Sequence, residues 1–126
     1  MAVLTELSLR LPNSPGALAD VCRILASERV TIVALGLEPG GRLRVVVDNH
    51  IRAEGALREQ HHAVTRRDVL VMTAGHGPDG LAAPLGLLAA AGVNVEYAYA
   101  GSGEGQMLAL VLGVDDPVRA AMAAGV

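Results

Sequence analysis

Near the start of the chain, apolar and polar side chains alternate. Residues 7–11 alternate leucine with a polar or charged side chain, and this period of two predicts a β-strand with one buried face. From Leu18 to Leu25 the apolar positions recur three and four residues apart, which predicts a helix buried on one side. Between them, Ser14 is expected to be the N-cap of that helix and Pro15 its first residue.

The rest of the first half continues this pattern of alternating elements. Its predicted elements are a strand from about Val30 to Leu37, a strand from Leu43 to Val47, a helix capped by Asp48-Asn49 and a strand from His62 to Arg66. Glu54 and Arg58 are spaced to form an ion pair on that helix. The strand from Val30 to Leu37 is uncharged on both faces. Because helices can cover only one of its faces, we expect the protein to oligomerise as a homodimer or a larger homo-oligomer.

The second half repeats the first at a nearly constant spacing. Pro15, Leu18, Ile24 and Val30 correspond to Pro78, Leu81, Leu87 and Val93. A strand is predicted from Asp68 to Thr73, and a last helix after Asp116-Pro117 with Val118, Ala121 and Met122 on its apolar face. Pro84 falls inside a predicted helix, so this helix either starts late or is kinked.

This order of elements predicts an α+β fold. Each half corresponds to a ferredoxin-like βαββαβ unit, in which two helices cover one face of an antiparallel sheet. The units are predicted to span 1–66 and 67–126.

Composition excludes several classes of function. The 126 residues are 52% hydrophobic and 18% charged, with no Phe or Trp and a net charge of −3. Such a chain should fold, but it offers no basic surface for nucleic acid or for an anionic membrane. All ten basic residues are arginine, which excludes Schiff-base chemistry and a P-loop. The single cysteine, Cys22, and the lack of a signal-like or membrane-spanning stretch lead us to expect a cytoplasmic protein.

The stretch from Leu11 to Ala19, followed by Val30-Thr31-Ile32, resembles the ACT domain. The first loop of that family has a polar residue, a variable residue, Pro-Gly and then an aliphatic residue, and Asn13, Pro15, Gly16 and Leu18 match it. The stretch from His76 to Leu81, with Gly92 to Tyr97 after it, looks like a diverged copy. Here Asp79 stands where the family has glycine, and Gly80 follows one place late.

The resemblance implies a regulatory or sensor protein without catalytic residues, metal or cofactor. It would bind a free amino acid or a similar small metabolite at the seam between ACT-like units, and the bound ligand would act allosterically. The loop of one unit is expected to face the second strand of the other. The ligand-binding residues implied in this way are Asn13, Ser14, Pro15, Gly16, Ala17 and Leu18 with Asn94, Val95, Glu96 and Tyr97, and His76, Gly77, Asp79, Gly80 and Leu81 with Ile32.

Three alternatives stay open at this point. Gly75 to Gly80 spells G-x-G-x-x-G, the outline of a dinucleotide-binding loop, although the chain is short and Asp79 would repel a pyrophosphate. A small enzyme with His76 or Glu96 as acid or base is a second alternative. The third is a regulatory subunit of an amino-acid biosynthetic enzyme, with that enzyme as its partner.

Overall fold

The computed structural model describes residues 1–124 and contains six strands and four helices. In chain order these are β1 (Ala2–Arg10), α1 (Ala17–Ser27), β2 (Ile32–Leu37), β3 (Arg42–Val47), α2 (His50–Glu59), β4 (Thr65–Ala74), α3 (Ala82–Ala90), β5 (Tyr97–Ser102), β6 (Leu108–Gly113) and α4 (Pro117–Ala123). The first five elements and the last five follow the same order of strand, helix, strand, strand, helix. The predicted α+β class with antiparallel, ferredoxin-like strands is confirmed.

The chain forms two compact units whose limits lie inside strands. The first unit is Thr5–Arg67, and the second consists of Met1–Leu4 together with the chain from Asp68 onward. Strands β1 and β4 therefore each contribute residues to both units.

Antiparallel strands in the order β2-β3-β1 form the sheet of the first unit. Leu7 pairs with Val45 and Leu9 with Leu43, so apolar side chains of neighbouring strands lie on one face, where α1 and α2 cover them. The members of this core include Leu7, Leu9, Leu11, Val21, Leu25, Leu43, Val45, Val47, Ala53 and Leu57. Ala34 and Val46 are buried as well although they are not part of that core. These two side chains are therefore buried already in the isolated chain, without a second copy to cover them.

The second unit has the strand order β4-β6-β5 and its own apolar core. Leu70, Met72, Leu110 and Leu112 of the sheet pack with Leu88 of α3 in that core. Where β5 turns into β6, the amide of residue 103 donates to the carbonyl of residue 107 at 3.0 Å, so the connection is a tight hairpin.

Helix α4 packs through a different face from the one predicted. Val118 is 57% exposed and Met122 is 72% exposed, so the prediction that they lie on the buried face is wrong. Ala120 is buried, with Pro117 and Ala121 partly buried beside it. The residues of this face recur at helical spacing, as those of the predicted face do. Their small side chains allow the helix to approach the core closely.

Two predicted element boundaries are also wrong. The separate strands predicted at 62–66 and at 68–73 are one continuous strand, β4. Helix α1 begins at Ala17 rather than at Pro15, and its N-cap position is occupied by Gly16, with no side-chain hydrogen bond. Ser14 therefore does not cap this helix.

Other local predictions are confirmed. The side chain of Asn49 caps α2 by accepting from the amide of Arg52 at 3.1 Å, and that of Asp116 caps α4 in the same way. Glu54 and Arg58 form the expected ion pair, 2.9 Å between Oε2 and Nε. Helix α3 begins late, so that Pro84 lies in its first turn, where its missing N–H costs no intrahelical bond. In the described part of the chain, no helix has the length and apolar character needed to cross a membrane.

Candidate functional site

A cavity of 540 Å³ lies in the first unit where α1 begins. Two segments form its walls: the loop that leads from β1 into α1, and the turn between β2 and β3. The lining residues are Leu11, Pro12, Asn13, Ser14, Gly16, Ala17, Leu18, Ala19, Leu37, Glu38, Pro39, Gly40 and Gly41.

The first wall is shaped by a tight turn at Ser14–Ala17. The amide of Ala17 donates to the carbonyl of Ser14 at 3.3 Å, and Gly16 has φ 86° and ψ −8°. With proline before it, this is a type II turn, whose third residue requires a positive φ and therefore favours glycine. Because the turn replaces a side-chain cap, the amides of Leu18 and Ala19 have no capping side chain. The start of α1 thus offers hydrogen-bond donors and the positive end of a helix dipole at the cavity.

The second wall is held against the first by the backbone of Gly41. The amide of Leu11 donates to the carbonyl of Gly41 at 2.7 Å, and a Cβ on Gly41 would overlap the carbonyl oxygen of Leu11. Gly40 is held as well, because its carbonyl accepts from Nη1 of Arg10 at 2.9 Å. Both glycines have φ near 90°, a conformation that other residues rarely adopt. The second wall therefore depends on a backbone conformation that favours glycine at both positions and on a close backbone contact at Gly41.

Glu38 is the single charged residue among the described residues that line the cavity. Its Oε1 accepts from Nε of Arg44 at 2.8 Å, while Nη1 of the same arginine lies 4.0 Å from Oε1 of Glu6. Glu6 is only 1% exposed, whereas the Glu38 side chain is 49% exposed. Arg44 thus connects the buried carboxylate of Glu6 with the half-exposed carboxylate of Glu38.

The structure brings five of the predicted ligand residues to this cavity. Asn13, Ser14, Gly16, Ala17 and Leu18 line it. Pro15 belongs to the turn that shapes the first wall. Ile32 begins β2 and packs on the core of the first unit.

The sequence patterns did not predict that the second wall, residues 37–41, belongs to the site. Its sequence of Pro39-Gly40-Gly41 predicts a turn, and nothing in that pattern shows that the turn closes on the loop before α1.

The loop of the second unit that precedes α3 is compact. The amide of Gly80 donates to the carbonyl of Gly77 at 3.0 Å, and a Cβ on Gly80 would overlap the carbonyl of Gly75. The glycine spacing thus allows the loop to pack on itself. The sheet is antiparallel, whereas dinucleotide-binding folds have a parallel sheet, so the fold does not support a dinucleotide-binding loop here. His76 and Asp79 are exposed here, with Gly77 and Leu81, and the ligand roles of this loop stay a prediction.

Asn94, Val95 and Glu96 are exposed on the segment that enters β5. The amide of Glu96 donates to the carbonyl of Gly113 at 2.8 Å. The Tyr97 ring lies over Gly113 and stacks on that of Tyr99, with ring centres 6.4 Å apart. The backbone of this segment is thus fixed by β6, and its ligand roles also stay a prediction.

Within residues 1–124, no group of three or more His, Cys, Asp or Glu is arranged to hold a metal ion. His61 and His62, which adjoin Glu59 in sequence, are not part of any such group.

Several solved structures share the fold of this chain. Protein BT0572 from Bacteroides thetaiotaomicron has a similar structure, with a TM-score of 0.85 and 31% sequence identity over 96% of this chain and 85% of that one. The chain belongs to the same family as protein BT0572.

More distant solved structures share the fold. The ligand-free regulatory subunit of aspartate kinase from Thermus thermophilus has a TM-score of 0.67 and 17% identity over 95% of this chain and 88% of that chain. That from Thermus flavus has a TM-score of 0.59 and 19% identity over 95% and 86%. No protein-family model matches the sequence, and the comparison with curated proteins gives no match.

Proposed function

We propose that the protein is a regulatory or sensor protein that binds a free amino acid, or a similar small metabolite, in the cavity at the start of α1. The observation that carries this proposal is the cavity itself. Uncapped helix amides, one acidic residue and several apolar residues line its 540 Å³. A zwitterion with a small side chain needs these three kinds of surface.

Each part of such a ligand has a matching group in the cavity. The α-carboxylate fits the amides of Leu18 and Ala19 at the helix start, where the dipole favours negative charge. The α-ammonium fits the carboxylate of Glu38, with the side-chain oxygen of Asn13 as a further acceptor. The aliphatic side chains that line the cavity would accommodate an apolar or small ligand side chain.

The comparisons support the regulatory part of the proposal. Two of the structures that share this fold are regulatory subunits of aspartate kinase. A binding module whose ligand favours one packing of its units over another regulates by shifting that equilibrium.

The first test is a thermal-shift screen of the purified chain against the twenty amino acids. A ligand that binds only the folded state raises Tm in proportion to the logarithm of its concentration above Kd. The protein should first be unfolded and dialysed, and the released material analysed by mass spectrometry, so that a ligand retained from expression is identified. Calorimetry then measures Kd for each hit.

A cavity-filling variant locates the site. Ala19→Leu places a larger side chain at the exposed lining position on α1, and Ala26→Leu makes the same change at an exposed position of that helix outside the lining. Alanine and leucine are both good helix formers, so both variants should fold. The proposal requires that Ala19→Leu abolishes the thermal shift while Ala26→Leu retains it. It is wrong if the refolded, ligand-free protein responds to no amino acid, or if both variants respond as the original protein does.

We include the remaining predicted ligand residues in this proposal. Asn94→Ala and His76→Ala should each weaken binding of the ligand found in the screen if Asn94 to Tyr97 and His76 to Leu81 contribute to it. Unchanged Kd in both variants would restrict the site to the cavity. Light scattering with and without ligand measures the molar mass of the protein in solution and so tests the proposed homo-oligomer.

A second candidate is a regulatory subunit of an amino-acid biosynthetic enzyme, which the likeness to aspartate kinase regulatory subunits favours. An aspartate kinase catalytic subunit from the same organism should then co-elute with this chain in size-exclusion chromatography. Its activity should depend on the amino acid only when this chain is present. Separate elution and an unchanged response would contradict this role.

A further inference from the structure

A second, smaller hollow of 170 Å³ lies in the first unit, away from the cavity described above. It is lined by Ser8, Leu9, Arg10, Arg42, Ala63 and Thr65. None of these residues lines the cavity at the start of α1, so the hollow is a separate place on the surface.

The two arginines of the hollow lie directly opposite each other. Arg10 of β1 and Arg42 of β3 are cross-strand partners in the antiparallel ladder. Like charges in that position repel each other and destabilise a sheet. Both side chains are exposed, so the repulsion is screened by water but not removed.

Neither arginine forms an ion pair with a carboxylate of the described residues. Nη1 of Arg10 donates to the carbonyl of Gly40 at 2.9 Å, and the nearby acid Glu38 is engaged by Arg44. The lining includes no acidic residue. Two arginines therefore line one hollow whose lining residues supply no counter-charge.

We propose that Arg10 and Arg42 form a binding site for a single oxyanion group, supplied as free phosphate or as a small phosphate monoester. Guanidinium groups bind phosphate through paired, charge-assisted hydrogen bonds. The hydroxyl groups of Ser8 and Thr65 add donors at the same hollow. The bond to Gly40 limits the freedom of Arg10 before the anion arrives, which lowers the entropic cost of binding.

The size of the hollow decides between small and large anions. A volume of 170 Å³ accommodates one phosphate group but not a nucleotide. The net charge of −3 gives the chain no general attraction for polyanions. Binding should therefore depend on these two arginines rather than on the overall charge.

The proposal is tested by titrating the full chain with inorganic phosphate and, separately, with glycerol 3-phosphate, at constant ionic strength set with chloride. Binding is followed by ³¹P NMR and by thermal shift. Removing one of two guanidinium partners should weaken binding at least about tenfold, so Arg42→Gln should show that loss. Arg10→Gln combined with Arg42→Gln should abolish saturable binding. The ratio of the two affinities shows whether free phosphate or the monoester is preferred.

Arg119→Gln is the matched control, because it removes the same charge from an exposed position on α4. It should leave both affinities within about twofold of the original, since Arg119 does not line the hollow and an exposed charge that does not contact the anion is screened by salt. Circular dichroism checks that the variants remain folded.

The proposal is overturned if phosphate binding is not saturable, if Arg42→Gln binds as well as the original protein, or if Arg119→Gln weakens binding equally. It is also overturned if an acidic peptide binds at the two arginines and neither phosphate compound does. The hollow and the cavity share no lining residue. Arg42→Gln leaves the bond from Arg10 to Gly40 at the cavity wall in place, so the phosphate affinity of this single variant is independent of the amino-acid screen.

Discussion

Gly40 and Gly41 provide a matched pair of substitutions that tests how the cavity is built. Both have φ near 90°, so alanine is strained at either position. At Gly40 an added Cβ meets nothing within 4 Å, whereas at Gly41 it overlaps the carbonyl oxygen of Leu11. The two variants therefore differ in this steric contact and in the hydrogen bond between Leu11 and Gly41.

The expected loss for each variant follows from these differences. Positive φ costs a residue with a Cβ about 1–2 kcal/mol, and alanine regains about 0.4–1 kcal/mol by restricting the unfolded chain. Gly40→Ala should thus lower the free energy of unfolding by about 1 kcal/mol. Gly41→Ala adds a steric cost of about 1–3 kcal/mol and a weakened backbone hydrogen bond of about 1 kcal/mol. Its total loss should be about 3–5 kcal/mol.

Urea denaturation followed by far-UV circular dichroism measures both variants against the original chain. The affinity for the amino acid is a second measurement. Displacement of the turn at 38–41 should weaken this affinity more in Gly41→Ala than in Gly40→Ala. Equal loss of stability in the two variants would show that the approach of Gly41 to Leu11 does not hold the cavity wall in place.

Three further predictions concern stability. Gly113→Ala should lower the free energy of unfolding by about 1–3 kcal/mol, because its Cβ would displace the ring of Tyr97; an unchanged near-UV tyrosine spectrum would refute this. Gly55→Ala, at an exposed helical position with open space around the Cβ, should raise it by about 0.5–1 kcal/mol, and any loss in urea denaturation would contradict the reasoning. Asn49→Ala should cost about 1 kcal/mol as a lost helix cap, whereas Ser14→Ala, which removes no cap, should change stability by less than about 0.5 kcal/mol in the same assay.

Predictions from the sequence succeed where a short pattern determines the structure. The alternation at 7–11 predicts β1, and the spacing from Leu18 to Leu25 predicts the buried face of α1, since Val21 and Leu25 are buried. The caps of α2 and α4 are local as well, because one side chain and one amide three residues later suffice.

The failures lie where two patterns compete or where distant segments meet. Helix α4 offers two apolar faces at helical spacing, and packing against the core selects the one with Ala120. At Ser14 the Pro-Gly pair forms a type II turn, which competes with the side-chain cap and prevails. The second cavity wall depends on a contact between Leu11 and Gly41, and no periodicity along the chain encodes a contact between residues so far apart.

The division of β1 between the two units has a consequence for how the chain can be cut. Met1–Leu4 belongs to the second unit, and Met1 packs on its core. A gene fragment that begins at Asp68 would encode the second unit without these four residues. A circular permutation that moves Met1–Leu4 behind the last residue would make that unit continuous in sequence. The order of residues in the gene and the membership of residues in each folded unit are thus different divisions of the same chain.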